Sequence, residues 1–151
     1  SFAVLAVDFG TGFVAGARCF MTSNGTTGSD CSGLTSPSRD LVLENDGNQN
    51  ASVSVYAATN ASLFLNQTAG PVAQFRIAGQ DNESGSCGNL TQTAFADVNI
   101  TPPGDVLCGE TNSFNFQQGT NSLGIVVFVN FSQNITSGVH KTNLTAVCDD
   151  T

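Results

Sequence analysis

Ten of the fifteen asparagines in this 151-residue chain carry Ser or Thr two positions on, with no Pro between: Asn24, Asn50, Asn60, Asn66, Asn82, Asn89, Asn99, Asn130, Asn134 and Asn143. This pattern accepts N-linked sugar on the carboxamide nitrogen, and a chain with this share of Ser and Thr would hold only about three such matches by chance. Dense glycosylation implies passage through a secretory membrane. Five cysteines, Cys19, Cys31, Cys87, Cys108 and Cys148, fit the same oxidising compartment, and none forms a C-x-x-C pair. The expected bridges are Cys19 with Cys31 and Cys87 with Cys108, since each closes a short loop rich in Gly, Ser and Asn. Cys148 is then left over, to be buried or joined to another chain.

Other reactive groups are sparse. His140 is the only histidine; within "GVHKTNLTAVC" it reads as a surface imidazole rather than a general base. No G-x-S-x-G elbow and no phosphate-binding Gly-Lys-Ser/Thr occurs. Two acidic loops offer oxygens that calcium could use: "LENDGNQN" with Glu44 and Asp46, and "GQDNES" with Asp81 and Glu83. Neither has the EF-hand spacing, so a hairpin turn and a sugar-bearing loop at Asn82 are the expectation. Asp149 and Asp150 of the final "CDDT" are too close in sequence to oppose each other across a glycosidic bond. The expectation is a non-enzyme with no metal and no cofactor beyond its glycans, calcium being the alternative.

Charge narrows the partners. Only Arg18, Arg39, Arg76 and Lys141 are basic, against twelve acidic residues, giving a net charge of -8. A phosphate backbone would be repelled, and no polybasic patch exists for an anionic membrane, so neither nucleic acid nor a membrane surface is an expected partner. No stretch reaches the roughly 18 apolar residues of a membrane span. The opening run lacks the basic start of a signal peptide, and Ser1 is expected to be the end left after one was removed.

The elements that must carry these groups are strands. Short strings rich in Val, Ile, Phe and Thr recur between turn signals such as "NDGN", "TPPGD" and "SQNITSG", and helical periodicity is scarce. Strands are predicted at 2–7, 12–21, 41–44, 51–58, 62–65, 72–78, 93–99, 105–108, 113–117, 123–131 and 139–147, forming an all-β single-domain sandwich of Ig-like or jelly-roll type. Alternation in "LGIVVFVNFS" puts Leu123, Ile125, Val127, Val129 and Phe131 on one face, and Val126, Phe128 and Asn130 on the other. Asn50 likewise shares the face of Ser52 and Ser54, opposite Val53 and Val55. A sugar cannot enter a packed interior, so sequons and core must lie on opposite faces.

The opening "SFAVLAVDFGTG" does not alternate. Phe2, Val4 and Ala6 would lie on one side of a strand and Ala3, Leu5, Val7 and Phe9 on the other, both apolar. Such a strand needs cover on two faces. Either it is the first strand of its own domain, or it leaves that domain to fill a gap in a neighbour's sheet. Each large side chain gains about 1.5–3 kcal/mol on burial, enough to hold an inserted strand firmly. Residues 1–11 then form donor strand and connector, with the glycines of "DFGTG" as a flexible joint, and 12–151 form the globular body.

In this layout the chain resembles the secreted, heavily N-glycosylated archaeal filament subunits called threads. The resemblance rests on "SFAVLAV", the β-rich body and the crowd of sequons, and covers the whole chain in arrangement only. It implies an extracellular, cell-surface filament in adhesion or biofilm cohesion, built head to tail from identical subunits by donor-strand complementation. Bacterial chaperone-usher pilins and the archaeal bundling pilus look similar in architecture, but ten sequons are foreign to the former. The alternative is a monomeric secreted glycoprotein module, lectin-like or adhesive, that binds cell-surface or glycan targets with its first strand packed at home.

Overall fold

The longest strand forms around the longest β-branched and aromatic run, Ile125 to Val129. In the computed structural model, which describes residues 1–67, 69–70, 72–109 and 113–149, β10 runs over Ser122–Ser132. Thr68 of the Asn66 sequon and the tail residues Asp150 and Thr151 lie outside the described residues. The inward side chains of β10, from Leu123 to Phe131, are at most 6% exposed. Around this strand the others are, in chain order, β1 (Phe2–Val4), β2 (Phe13–Val14), β3 (Arg18–Thr22), β4 (Cys31–Ser32), β5 (Leu41–Glu44), β6 (Ser52–Ala57), β7 (Gln74–Asp81), β8 (Ala96–Asp97), β9 (Asp105–Cys108) and β11 (Leu144–Asp149), with one short helix, α1 (Ala61–Leu65).

The fold is all-β, a sandwich built from antiparallel sheets. The main sheet has the order β1-β5-β10-β7-β8, with β3 also on β10; the second is β11-β6-β9, and β2 pairs with β4 in a small ribbon. Because β7 occupies one edge of β10 from Leu123 to Asn130, β5 and β3 must share the other, β5 at Ser122 to Ile125 and β3 at Phe128 to Ser132. Val53, Val55 and Ala57 of β6 and Leu107 of β9 bury their side chains in the same core as Leu43, Ile77 and Ile125 of the main sheet. Two disulfides, Cys19–Cys31 and Cys87–Cys108, tie loops to β3 and β9.

Several elements depart from the expected strands. Residues 62–65 are helical, because the Asn60 carboxamide accepts the Leu63 N–H at 3.0 Å as an N-cap and Asn66 closes the turn in the left-handed region. That short turn carries Leu65 into the core, which the run "ASLFL" does not reveal by alternation. The long strand at 12–21 is two pieces: the Asp30 carboxylate sits where a side chain on Gly16 would be and accepts the Ala17 N–H, turning the chain between them. At 113–117 only Phe114 makes bridges, to Ala51 and Cys87, and β4 has no counterpart among the expected strands.

β3 and β5 meet end to end along one edge of β10, and Ser23 joins them. Its N–H donates to Val127 O and its hydroxyl accepts the Val127 N–H, both at 2.8 Å. The same hydroxyl donates to Asp40, whose other oxygen accepts from Gln80 of β7 at 2.6 Å. Partial burial pushes the Asp40 carboxyl above its ordinary value, and the Ser23 hydrogen bond opposes that rise. Ser23 itself is fully buried. Ser23→Ala strands the Val127 N–H in the sheet interior, and chemical denaturation should read a loss of about 1–3 kcal/mol; an unchanged midpoint would show that the junction carries no such burden.

Candidate functional site

The second sheet covers only part of the face that β10 presents. Leu123 and Ile125 are fully enclosed, whereas Val127, Val129 and Phe131 form the floor of a cleft of about 1070 Å³, together with Met21 and Phe75. One wall is the amino-terminal segment from Leu5 to Val14, and the other is the loop from Gln133 to Leu144. The rim is mixed and open to solvent: Leu5 is 78% exposed, Phe13 64% and Val139 89%, and beside them stand Asp8, Gln133, Lys141 and Asn143. Leu63, 67% exposed, lines a smaller adjoining hollow with Val139. Large apolar side chains gathered around a concave apolar floor are the usual physical mark of a docking surface, because each is left in water at a cost that a partner would remove.

The amino-terminal segment folds back on its own body in the single chain. β1 pairs with β5, Phe2 opposite Leu43 and Val4 opposite Val42, with an irregular register between. It lies at the sheet edge and has no second strand partner. Phe2, Val7 and Phe9 pack partly against the core, while Ala3, Leu5 and Ala6 remain exposed. Two-sided cover, which the residue types call for, is therefore half met. The expected flexible joint at "DFGTG" is pinned instead. Phe9 O accepts from Thr35 at 3.0 Å, Asp8 accepts the Gly10 N–H at 2.8 Å, and a Cβ on Gly12 would stand 2.0 Å from Ser32 O. Gly12 is required there for backbone to lie against backbone. The amino terminus is fastened as well: the Ser1 ammonium donates to Glu44 O at 2.7 Å and to Asp46 at 3.2 Å, and Ser1 O accepts the Glu44 N–H at 2.7 Å. The uncovered side chains are thus Ala3, Leu5 and Ala6, between this tie and the anchor at Phe9.

The opposite wall is clasped by the lone histidine. His140 places Nε2 2.7 Å from Thr136 O and Nδ1 3.1 Å from Phe64 O, linking the loop to α1. A neutral imidazole carries one N–H, so it donates to one of these two carbonyl oxygens according to its tautomer, and that bond fastens the loop. Beyond this wall, β11 pairs only with β6 among the described residues, and its outer edge is free. Cys148 stands on β11, free and exposed rather than buried, and desolvation around the sulfur pushes its thiol up.

None of the ten sequon asparagines is buried: Asn50, Asn89 and Asn130 are half-buried and the other seven are exposed. Val53 and Val55 are enclosed while Ser52 and Ser54 are only half-buried, as the alternation around Asn50 requires. In the first acidic loop Asp46 pairs with the Ser1 ammonium at 3.2 Å, and the carboxylates of the second serve as turn clamps. Asp81 accepts from Ser86 and the Cys87 N–H, both at 2.9 Å, and Glu83 accepts the Asn121 N–H at 3.0 Å. Among the described residues no three His, Cys, Asp or Glu side chains converge as metal ligands. No helix among them is long and apolar enough to cross a membrane. The cleft is the feature sequence reasoning missed: Leu5, Phe13 and Val139 fall within the expected strands 2–7, 12–21 and 139–147, and nothing in those patterns marks the rim they form.

Comparison with family models, with curated proteins and with solved structures returns no match to this chain. His140→Ala removes the ring's hydrogen bond at the cleft wall, which should cost about 0.5–1.5 kcal/mol and quicken amide exchange across 133–143. Exchange unchanged there would mean the wall is held by other contacts.

Proposed function

We propose that this protein is the structural subunit of an extracellular filament, and that residues 2–7 of one copy take the edge position beside β5 in the next. The observation that carries this reading is the half-covered amino-terminal segment lying along a cleft with an apolar floor and with Leu5, Phe13 and Val139 exposed at its rim. The pairing of Phe2 and Val4 with β5 can be made by either copy, and what exchange adds is cover for Leu5, which is exposed at home. The anchor at Phe9 sets the reach. Seven residues ahead of it span about 23 Å when extended, enough to cross to an adjoining molecule. Head-to-tail exchange does not close on itself, and its repetition gives a fibre.

The surface suits life outside a cell. Two disulfides are at home in an oxidising compartment. Ten sequons at exposed or half-buried positions provide for a sugar coat in a protein whose charged residues are only 11% of the chain. The reading includes N-glycosylation among these sites, no catalytic activity, and a role in adhesion or cohesion of the kind the resemblance to archaeal threads implies. A second reading is favoured by one observation, the pairing of β1 with its own β5. On that reading the protein is a monomeric secreted module, and the cleft receives an apolar or glycan-bearing target.

Light scattering and electron microscopy of the full oxidised chain separate the two. The filament reading expects fibres that lengthen with salt, as screening relaxes repulsion between subunits of charge -8. Leu5→Asp, at an exposed position, should abolish them while shifting stability by no more than about 0.5 kcal/mol. A wild-type chain that stays monomeric at high concentration and in salt overturns the proposal. In a chain lacking residues 1–7, a synthetic peptide of those residues should bind and restore the melting temperature; a peptide without effect also counts against exchange.

A further inference from the structure

We infer that Asn130, although its sequon is intact, is a structural brace that carries no sugar. The inference rests on the reading that the chain is N-glycosylated, and divides the sequons by what their side chains do. Asn130 lies in β10 between two partner strands, opposite Phe20 of β3 and Gln74 of β7. Its Oδ1 accepts from Arg18 Nε at 2.8 Å, and its Nδ2 donates to Gln74 Oε1 at 3.0 Å. The same Arg18 reaches on to Val72 O at 2.8 Å. One carboxamide thus links side chains of three adjacent strands, with both of its ends in use.

The rest of the sequon is closed as well. Phe131 is 6% exposed and Ser132 2%, and the Ser132 hydroxyl accepts the Asn134 N–H at 3.2 Å. Sugar transfer needs the carboxamide nitrogen and the hydroxyl two residues on, both presented by a chain that can bend. A central strand hydrogen-bonded on both edges presents neither. A sugar attached before folding would replace a hydrogen on the nitrogen that faces Gln74 and would work against the brace. Asn60, Asn99 and Asn143, by contrast, are exposed at a helix start and in loops.

Secretion of the full chain from a eukaryotic host, followed by enzymatic deglycosylation in heavy-oxygen water and peptide mass spectrometry, reads each site. Label is expected at Asn60, Asn99 and Asn143, with little or none at Asn130. Label at Asn130 equal to the exposed sites overturns the inference. Absence of label at every sequon defeats the glycosylation reading, and the brace is then judged on unglycosylated protein. There Asn130→Ala and Arg18→Ala should each lower Tm by about 4 °C, with the double variant losing less than the sum, while Asn143→Ala leaves Tm in place. Full additivity, or an unchanged Tm in Asn130→Ala, overturns the brace.

Discussion

The constraint on which the rest depends is the inner face of β10, eleven residues of strand whose apolar side must be kept from water along its whole length. The second sheet contributes three strands, and its buried side chains share the core with Leu123 and Ile125 at one end of that face. At the other end Val127, Val129 and Phe131 depend on smaller pieces: the short helix, the loop clasped by His140 and the amino-terminal segment. Sheet against sheet is the efficient way to exclude water, and loops do it less completely. The cleft and the exposed apolar side chains at its rim follow from that shortfall.

The same strand explains how the main sheet is joined. No single partner spans the second edge of β10, so two short strands share it, and the gap between them leaves a backbone N–H in need of an acceptor. Ser23 meets that need with its hydroxyl, which donates in turn to Asp40, and the other Asp40 oxygen accepts from Gln80 on the far side. Further along, Asn130 connects β3, β10 and β7 through side chains on the outer face. Polar groups hold the sheet's lateral order on one side while apolar burial supplies the adhesion on the other.

Set against this, the amino-terminal segment combines firm and loose attachment. From Phe9 onward the backbone is fixed to the body, and ahead of it three residues pair at an edge while Leu5 projects into water. The arm is also tied at its tip, where Ser1 bonds to Glu44 and Asp46, so exchange between copies must break these ties and the edge pairing at home and remake them on the second copy. Low charge and a high count of sugar acceptors are compatible with close approach of many identical chains.

The all-β class, β5, β9 and most of β10 are legible in the sequence, because short apolar, β-branched runs bounded by turn residues are a local signal of a strand. The cysteine spacing is legible too, since the two short-loop bridges it suggests are the ones that form. Tertiary structure decided what local pattern cannot express. It made 61–65 a helix through the caps of Asn60 and Asn66, fixed Gly12 against Ser32, and set His140 between two carbonyl oxygens. It also separated Asn130 from sequons that look identical in letters. Each of these depends on which distant residue arrives beside which, and that is settled only when the sheets pack.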